Sequence, residues 1–87
     1  MILHTFNKPK ALFENRQFVS AQDTILLIED GVYSLLDGNV LKGKNDIFAL
    51  EIDLAARGIK VAQHEVSITY GKFVSLCAKA DQISNWF

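Results

Sequence analysis

Residues 24–38 read TILLIEDGVYSLLDG, and their interpretation decides the fold. Thr24, Ile25, Leu26, Leu27 and Ile28 form an unbroken apolar run with two β-branched ends. Such a run suits a strand covered on both faces, as in parallel sheets, rather than a strand with one wet face. The run stops at Glu29, Asp30 and Gly31. Beyond them Val32, Leu35 and Leu36 fall at i, i+3 and i+4, the spacing of an amphipathic helix that ends near Gly38. A buried strand followed by a helix is the unit of an α/β domain, and Asp30 is placed to cap that helix through its carboxylate. In open parallel sheets ligands collect at the carboxyl ends of strands, so this acidic turn is also the first place to look for chemistry.

The rest of the chain repeats the alternation. MILHTF at residues 1–6 predicts a first strand, and Pro9 then suits the first turn of a helix over residues 10–20, with Leu12, Phe13, Phe18 and Val19 along one face. DIFAL at 46–50 predicts a third strand. It leads into EIDLAARG, where Ile52, Ala55, Ala56 and Ile59 share a helical face and Gly58 supplies the stop. VSIT at 66–69 predicts a fourth strand. After it, Phe73, Leu76, Cys77, Ala80 and Ile83 recur at spacings of three and four, which predicts a terminal helix extending past Ile83. The expectation is one α/β domain over residues 1–87, with a mostly parallel sheet of about four strands between helices.

Composition narrows the functions. The 87 residues carry a formal charge of −1 with the lysines scattered, so there is no basic stripe for nucleic acid. No apolar stretch is long enough to span a bilayer and the N-terminus lacks the pattern of a signal peptide, so a soluble cytoplasmic protein without membrane attachment is expected. The single cysteine, Cys77, excludes a disulfide framework and a multi-thiolate zinc site. His4 and His64 lie far apart with no second ligand at metal spacing, and the glycines form neither GxGxxG nor a Walker loop. Neither a metal nor another cofactor is expected. His4 reads as a hydrogen-bonded residue of the sheet. A domain this small buries only about 60–65% of its unfolded surface, so partner subunits are expected.

Three groups of residues are candidates for function. Cys77 is the only available sulfur nucleophile, but its spacing puts it on the apolar face inside the last helix, where a free cysteine packs as a small hydrophobe. Glu29 and Asp30 are adjacent in an extended segment and so point apart. With Asp30 assigned to capping, Glu29 is left to meet a partner. Trp86 and Phe87 dock either on the chain's own core or at an interface.

Several segments in order, LHT (residues 3–5), LLIEDGVY (26–33), FALEIDLAARG (48–58), VSITYGKFVSL (66–76) and Trp86 near the end, make the chain resemble the DsrH/TusB family. The resemblance implies a small three-layer DsrE-like fold. It also implies a place beside TusC/DsrF-like and TusD/DsrE-like subunits in a heterohexamer that relays persulfide sulfur. In the Tus branch the sulfur goes toward 2-thiouridine at the tRNA wobble position; in the Dsr branch related complexes oxidise stored sulfur. In both, the principal sulfur-carrying cysteine belongs to the DsrE/TusD-type subunit. DsrH chains of sulfur oxidisers have an early cysteine, and residues 1–40 here contain none, which favours the Tus branch and a non-catalytic role. On this reading Glu29, Asp30, Trp86 and Phe87 are partner-interface candidates. The alternatives are a DsrEFH-type sulfur-oxidation subunit, a self-associating persulfide carrier or sulfurtransferase using Cys77, and a small-anion binder around Asp30 and Gly31.

Overall fold

A computed structural model describes residues 1–87. Five strands, β1 (Ile2–Phe6), β2 (Thr24–Leu27), β3 (Asp46–Leu50), β4 (Ser67–Ile68) and β5 (Gln82–Trp86), form one sheet in the order β4-β3-β2-β1-β5. Every neighbouring pair is parallel. The expected α/β class and parallel sheet are present, with one strand more than expected. β2 is buried along its whole length, as the unbroken TILL run requires.

The three helices are α1 (Pro9–Asn15), α2 (Glu51–Ala56) and α3 (Tyr70–Lys79), and 3-10 helices run over Arg16–Phe18, Glu29–Leu36 and His64–Val66. They divide unequally between the two faces of the sheet. Phe6, Ile25, Leu27, Ile47 and Ala49 meet Ala11 and Leu12 of α1, Val32 of the long 3-10 helix and Leu54 of α2. On the opposite face Leu3, Leu26, Leu50 and Ile68 meet only Leu76 of α3, with Met1, Ile28, Phe48, Phe73, Cys77 and Ala80 half-buried around them. The first face holds the larger core.

Five expectations need correction. The segment after β2 is a 3-10 helix, in which side chains three apart eclipse. Val32 and Leu35 therefore pack together on the core while Leu36, one residue further, is 73% exposed. Its N-cap position is Ile28 and no side chain caps it, so Asp30 does not have the capping role. The EIDLAARG helix buries Leu54 and leaves Ile52 in solvent, since six residues make too short a helix for the broader apolar stripe to decide its rotation. Gly58 does end it, in the left-handed region at φ 65°, with Ile59 N–H reaching back to the Leu54 carbonyl at 3.0 Å. The first helix breaks into α1 and a 3-10 turn, which leaves Phe13 90% and Phe18 64% exposed.

The largest correction is at the end of the chain. Helix α3 is capped at its start by Thr69, whose Oγ1 accepts from the Lys72 N–H at 3.1 Å, and it stops at Lys79. Ala80 is extended, and β5 follows. The 3/4 spacing that links Ile83 to Phe73, Leu76 and Ala80 is real in the sequence but is overridden by the open edge of β1, which gains a full ladder from Ile2↔Gln82 to Phe6↔Trp86. A strand also sends Ile83 and Trp86 to opposite faces, so that Trp86 joins the larger core.

One glycine is required by packing. At Gly31 a Cβ would lie 2.0 Å from the Phe6 carbonyl oxygen, so only glycine lets the 3-10 helix sit against the end of β1. Gly31→Ala is expected to lower the unfolding free energy by about 2 kcal/mol or more through this overpacking, with a Tm drop on the order of 10 °C by thermal melt.

Candidate functional site

The carboxyl ends of β2 and β3 meet at the acidic turn. Ile28 N–H donates to the Phe6 carbonyl at 3.1 Å, tying the turn to β1, and the next residue, Glu29, adopts a left-handed backbone at φ 50°. That conformation costs a non-glycine residue of order 1 kcal/mol and is held here by a specific contact. Glu29 N–H donates to Asp53 Oδ2 at 2.8 Å, from the first turn of α2.

Asp30 faces the same helix. Its Oδ1 accepts from Arg57 Nε at 2.9 Å, and the Arg57 Nη1 reaches the Asp53 carbonyl at 3.3 Å and its carboxylate at 3.5 Å. The guanidinium also lies over the Tyr33 ring, 5.9 Å from its centroid. The hydrogen bond that Arg57 donates to Asp30, with the charges of Asp30 and Asp53, raises the Arg57 pKa against the opposing effect of desolvation. Asp30 is exposed, so the pair adds little to stability, but it fixes the turn against α2. Arg57 is thus held by two carboxylates, with the exposed Glu29 beside them and Lys8, which follows β1, next to Gly31. No three His, Cys, Asp or Glu side chains converge as a metal site.

A buried polar chain crosses the sheet from Asp23, just before β2, through His4 in the middle of β1 to Trp86 at the carboxyl end of β5. Trp86 Nε1–H donates to His4 Nδ1 at 3.0 Å, which fixes the neutral imidazole with its proton on Nε2, and that N–H points at Asp23 Oδ2, also 3.0 Å away. The Asp23 carboxylate accepts further from Ile2 N–H at 3.0 Å and Ser20 N–H at 3.3 Å. Burial pushes its pKa up, but the Ile2 N–H, His4 and the Ser20 N–H together outweigh burial and leave it below the ordinary 3.8. The Trp86 ring stacks in addition with Phe6 and Phe18.

The structure thus separates the sequence-derived candidates. Glu29 and Asp30 sit together at the acidic turn with Asp53 and Arg57, two partners that sequence reasoning missed and that only tertiary proximity supplies. Trp86 is half-buried on the chain's own core, whereas Phe87 is 79% exposed. Cys77 is half-buried in the last turn of α3, packed with Phe73 and Ala80 against the smaller core, on the face of the sheet opposite the larger one. A groove of about 560 Å³ opens between α1 and the long 3-10 helix, lined by Leu12, Phe13, Tyr33, Leu36 and Val40 with Arg16 at its side. The exposure of Phe13 had no sequence signal, because an apolar residue at helical spacing reads as core.

The buried chain makes a pH prediction. Because the folded Asp23 pKa is depressed, the stability it contributes is fully present above its unfolded value near 3.8 and is lost as pH falls through the lower folded value. Denaturant titrations across this range are expected to show that loss in the wild type and a weaker one in Asp23→Asn. His4→Ala, which strands both Asp23 and the Trp86 N–H, is expected to cost about 2–4 kcal/mol at neutral pH, read from fluorescence of the single tryptophan.

Comparison with known proteins follows the same outline. A sequence model described as DsrH like protein matches residues 8–83. Protein TusB of Escherichia coli O81 (strain ED1a) is 30% identical over 95 residues, covering 98% of this chain and all of that protein. Protein TusB of Erwinia tasmaniensis is 30% identical over 77 residues, or 80% of this chain and 81% of the relative. Protein TusB of Yersinia enterocolitica is 31% identical over the same coverage. With the match running from the start of α1 into β5, the chain belongs to the DsrH-like family that includes these TusB proteins.

Proposed function

We propose that the chain is a non-catalytic subunit of a sulfur-relay complex of the TusBCD kind, one DsrH-like domain over residues 1–87, working in the cytoplasm beside TusC/DsrF-like and TusD/DsrE-like partners. In that role it shapes the site where a partner's cysteine receives persulfide sulfur destined for 2-thiouridine at the tRNA wobble position. The observation that carries the reading is family membership along nearly the whole chain combined with the place of Cys77, the only thiol. A sulfur carrier needs an accessible thiolate near a cation or a helix N-terminus, and Cys77 instead packs half-buried within α3.

The acidic turn and the aromatic terminus fit contact roles. Glu29 and Asp30 are exposed carboxylates on a turn that Asp53, Arg57 and Gly31 hold rigid, and a pre-ordered charged loop binds without a large ordering cost. Phe87 and the groove beside Phe13 offer apolar area for partner subunits, the groove with Arg16 and Asp37 among its lining residues.

Co-expression with DsrE-type and DsrF-type proteins from the same genome, followed by affinity capture, tests the proposal. A stable complex is expected, and loading with a persulfide donor is expected to place the added sulfur on the DsrE-type subunit by mass spectrometry. Cys77→Ala is expected to leave complex formation and sulfur loading unchanged, while a paired Glu29→Lys, Asp30→Lys variant weakens capture roughly tenfold or more. A chain that captures neither partner would overturn the reading, and one that itself gains sulfur at Cys77 under native conditions would overturn it in favour of a self-associating carrier.

A further inference from the structure

The two edges of the sheet are unlike. β4 is only two residues long, which gives little template for another strand. β5 is five residues, Gln82–Trp86, and its sequence QISNW contains no proline and no charge. The devices that natural edge strands use against pairing are missing from it.

Its free hydrogen-bonding groups can be assigned. The Phe6 carbonyl accepts from Ile28, so the even residues of β1 turn their backbone groups toward β2 and the odd ones toward β5. With Leu3 opposite Ile83 and Thr5 opposite Asn85, the slanted parallel bonds carry Leu3 and Thr5 to Gln82, Ser84 and Trp86. The N–H and C=O groups of Ile83 and Asn85 therefore point out of the sheet, and none of the bonds outside the ladder uses them. Large apolar side chains flank this edge on both faces. Trp86 with exposed Phe18 lies on one, and Ile83, 43% exposed, lies on the other with Phe87 beyond the strand's end.

We propose that β5 is a self-pairing edge: two copies of this chain join antiparallel across a two-fold axis at Ser84, and the two five-stranded sheets become one of ten strands. The register closes on itself. Ile83 exchanges both backbone bonds with Asn85 of the second copy, Asn85 does the same with its Ile83, and the two Ser84 residues face each other as the close, non-hydrogen-bonded pair. Gln82 then lies opposite Trp86 on the larger-core face. A second copy fits this edge better than a charged partner strand because QISNW brings no charge to complement and none to repel. Asp81, just before the strand, is already paired with the amino group of Met1. This pairing is independent of the relay reading, since it concerns the chain by itself and leaves the acidic turn free.

Sedimentation and light scattering of the full chain at a series of micromolar concentrations test the proposal. A dimer is expected. Ile83→Pro removes an outward N–H without breaking the ladder to β1, and Ser84→Lys sets two like charges opposite each other, so both are expected to be folded monomers by circular dichroism. If Ile83→Pro does not fold, Ser84→Lys decides. In a Cys77→Ala background, Ser84→Cys is expected to form a disulfide between two chains under mild oxidation, because the close pair brings the Cβ atoms within disulfide reach. A monomeric wild type, a dimer that survives Ser84→Lys in folded form, or failure of Ser84→Cys to cross-link overturns the proposal. Capture of the relay partners is read separately and stays the same in either case.

Discussion

Strand β1 needs a neighbour on each side, and most of the structure is arranged to supply one. On one side β2 pairs with it in register from Leu3↔Thr24 to Phe6↔Leu27, and on the other β5 returns from the far end of the chain to pair from Ile2 to Phe6. Backbone groups buried in the middle of a sheet are costly to leave unpaired, so an unpaired β1 edge would expose its amides beside the larger core. The return of β5 closes that edge and brings Trp86 onto His4, which in turn holds Asp23. Three elements separated by most of the chain are thereby joined by one chain of hydrogen bonds, and Thr5 Oγ1 adds a further bond to Asn85 at 2.6 Å.

The distribution of helices follows from the same arrangement. The connections that step from β1 through β2 and β3 to β4 place α1, the long 3-10 helix and α2 over the larger core. The last crossover must travel from the β4 edge to the β5 edge, and α3 alone carries it over the other face. One ten-residue helix does not cover a five-stranded sheet, so Phe48, Ile28 and Met1 stay half-buried there. Cys77 belongs to this thin layer, half-buried against the smaller core. The acidic turn stands apart from both cores. Its place is fixed by Gly31 pressed on Phe6 and by Asp53 holding the strained Glu29 amide, with Asp30 paired to Arg57 and the Glu29 side chain left exposed.

Family membership and geometry bear on different parts of the functional picture. Identity of about 30% along the chain places it with the TusB proteins, while the location of the single thiol bears on which chemistry the chain itself performs. The sequence resemblance was carried by segments that are all structurally constrained: LLIEDGVY is β2 and its turn, FALEIDLAARG is β3 and α2, and VSITYGKFVSL is β4 and α3. Shared segments of this sort fix a fold and a set of loop positions. They do not by themselves assign a reactive group, and here the acidic turn that looked like a reaction centre holds an Asp30–Arg57 ion pair.

The sequence by itself determined the α/β class, the buried strands β2 and β3, the stop at Gly58 and the absence of a multi-thiolate site. Each of these depends on local pattern: an unbroken apolar run, a glycine after a helical stretch, or a count of cysteines. It also determined that Asp30 and Glu29 would stand at the end of a central strand. Only the tertiary structure decided what they touch, because Asp53 and Arg57 come from another element and no spacing along the chain announces them. The same holds for the chain's end. The apolar spacing from Phe73 to Ile83 is helical, and residues 82–86 became a strand because the unpaired edge of β1 offered hydrogen bonds and a core site for Trp86 that a continued helix would have forgone. Local periodicity fixes which side chains are able to share a face; the demand of a distant strand for a partner decided which secondary structure uses them.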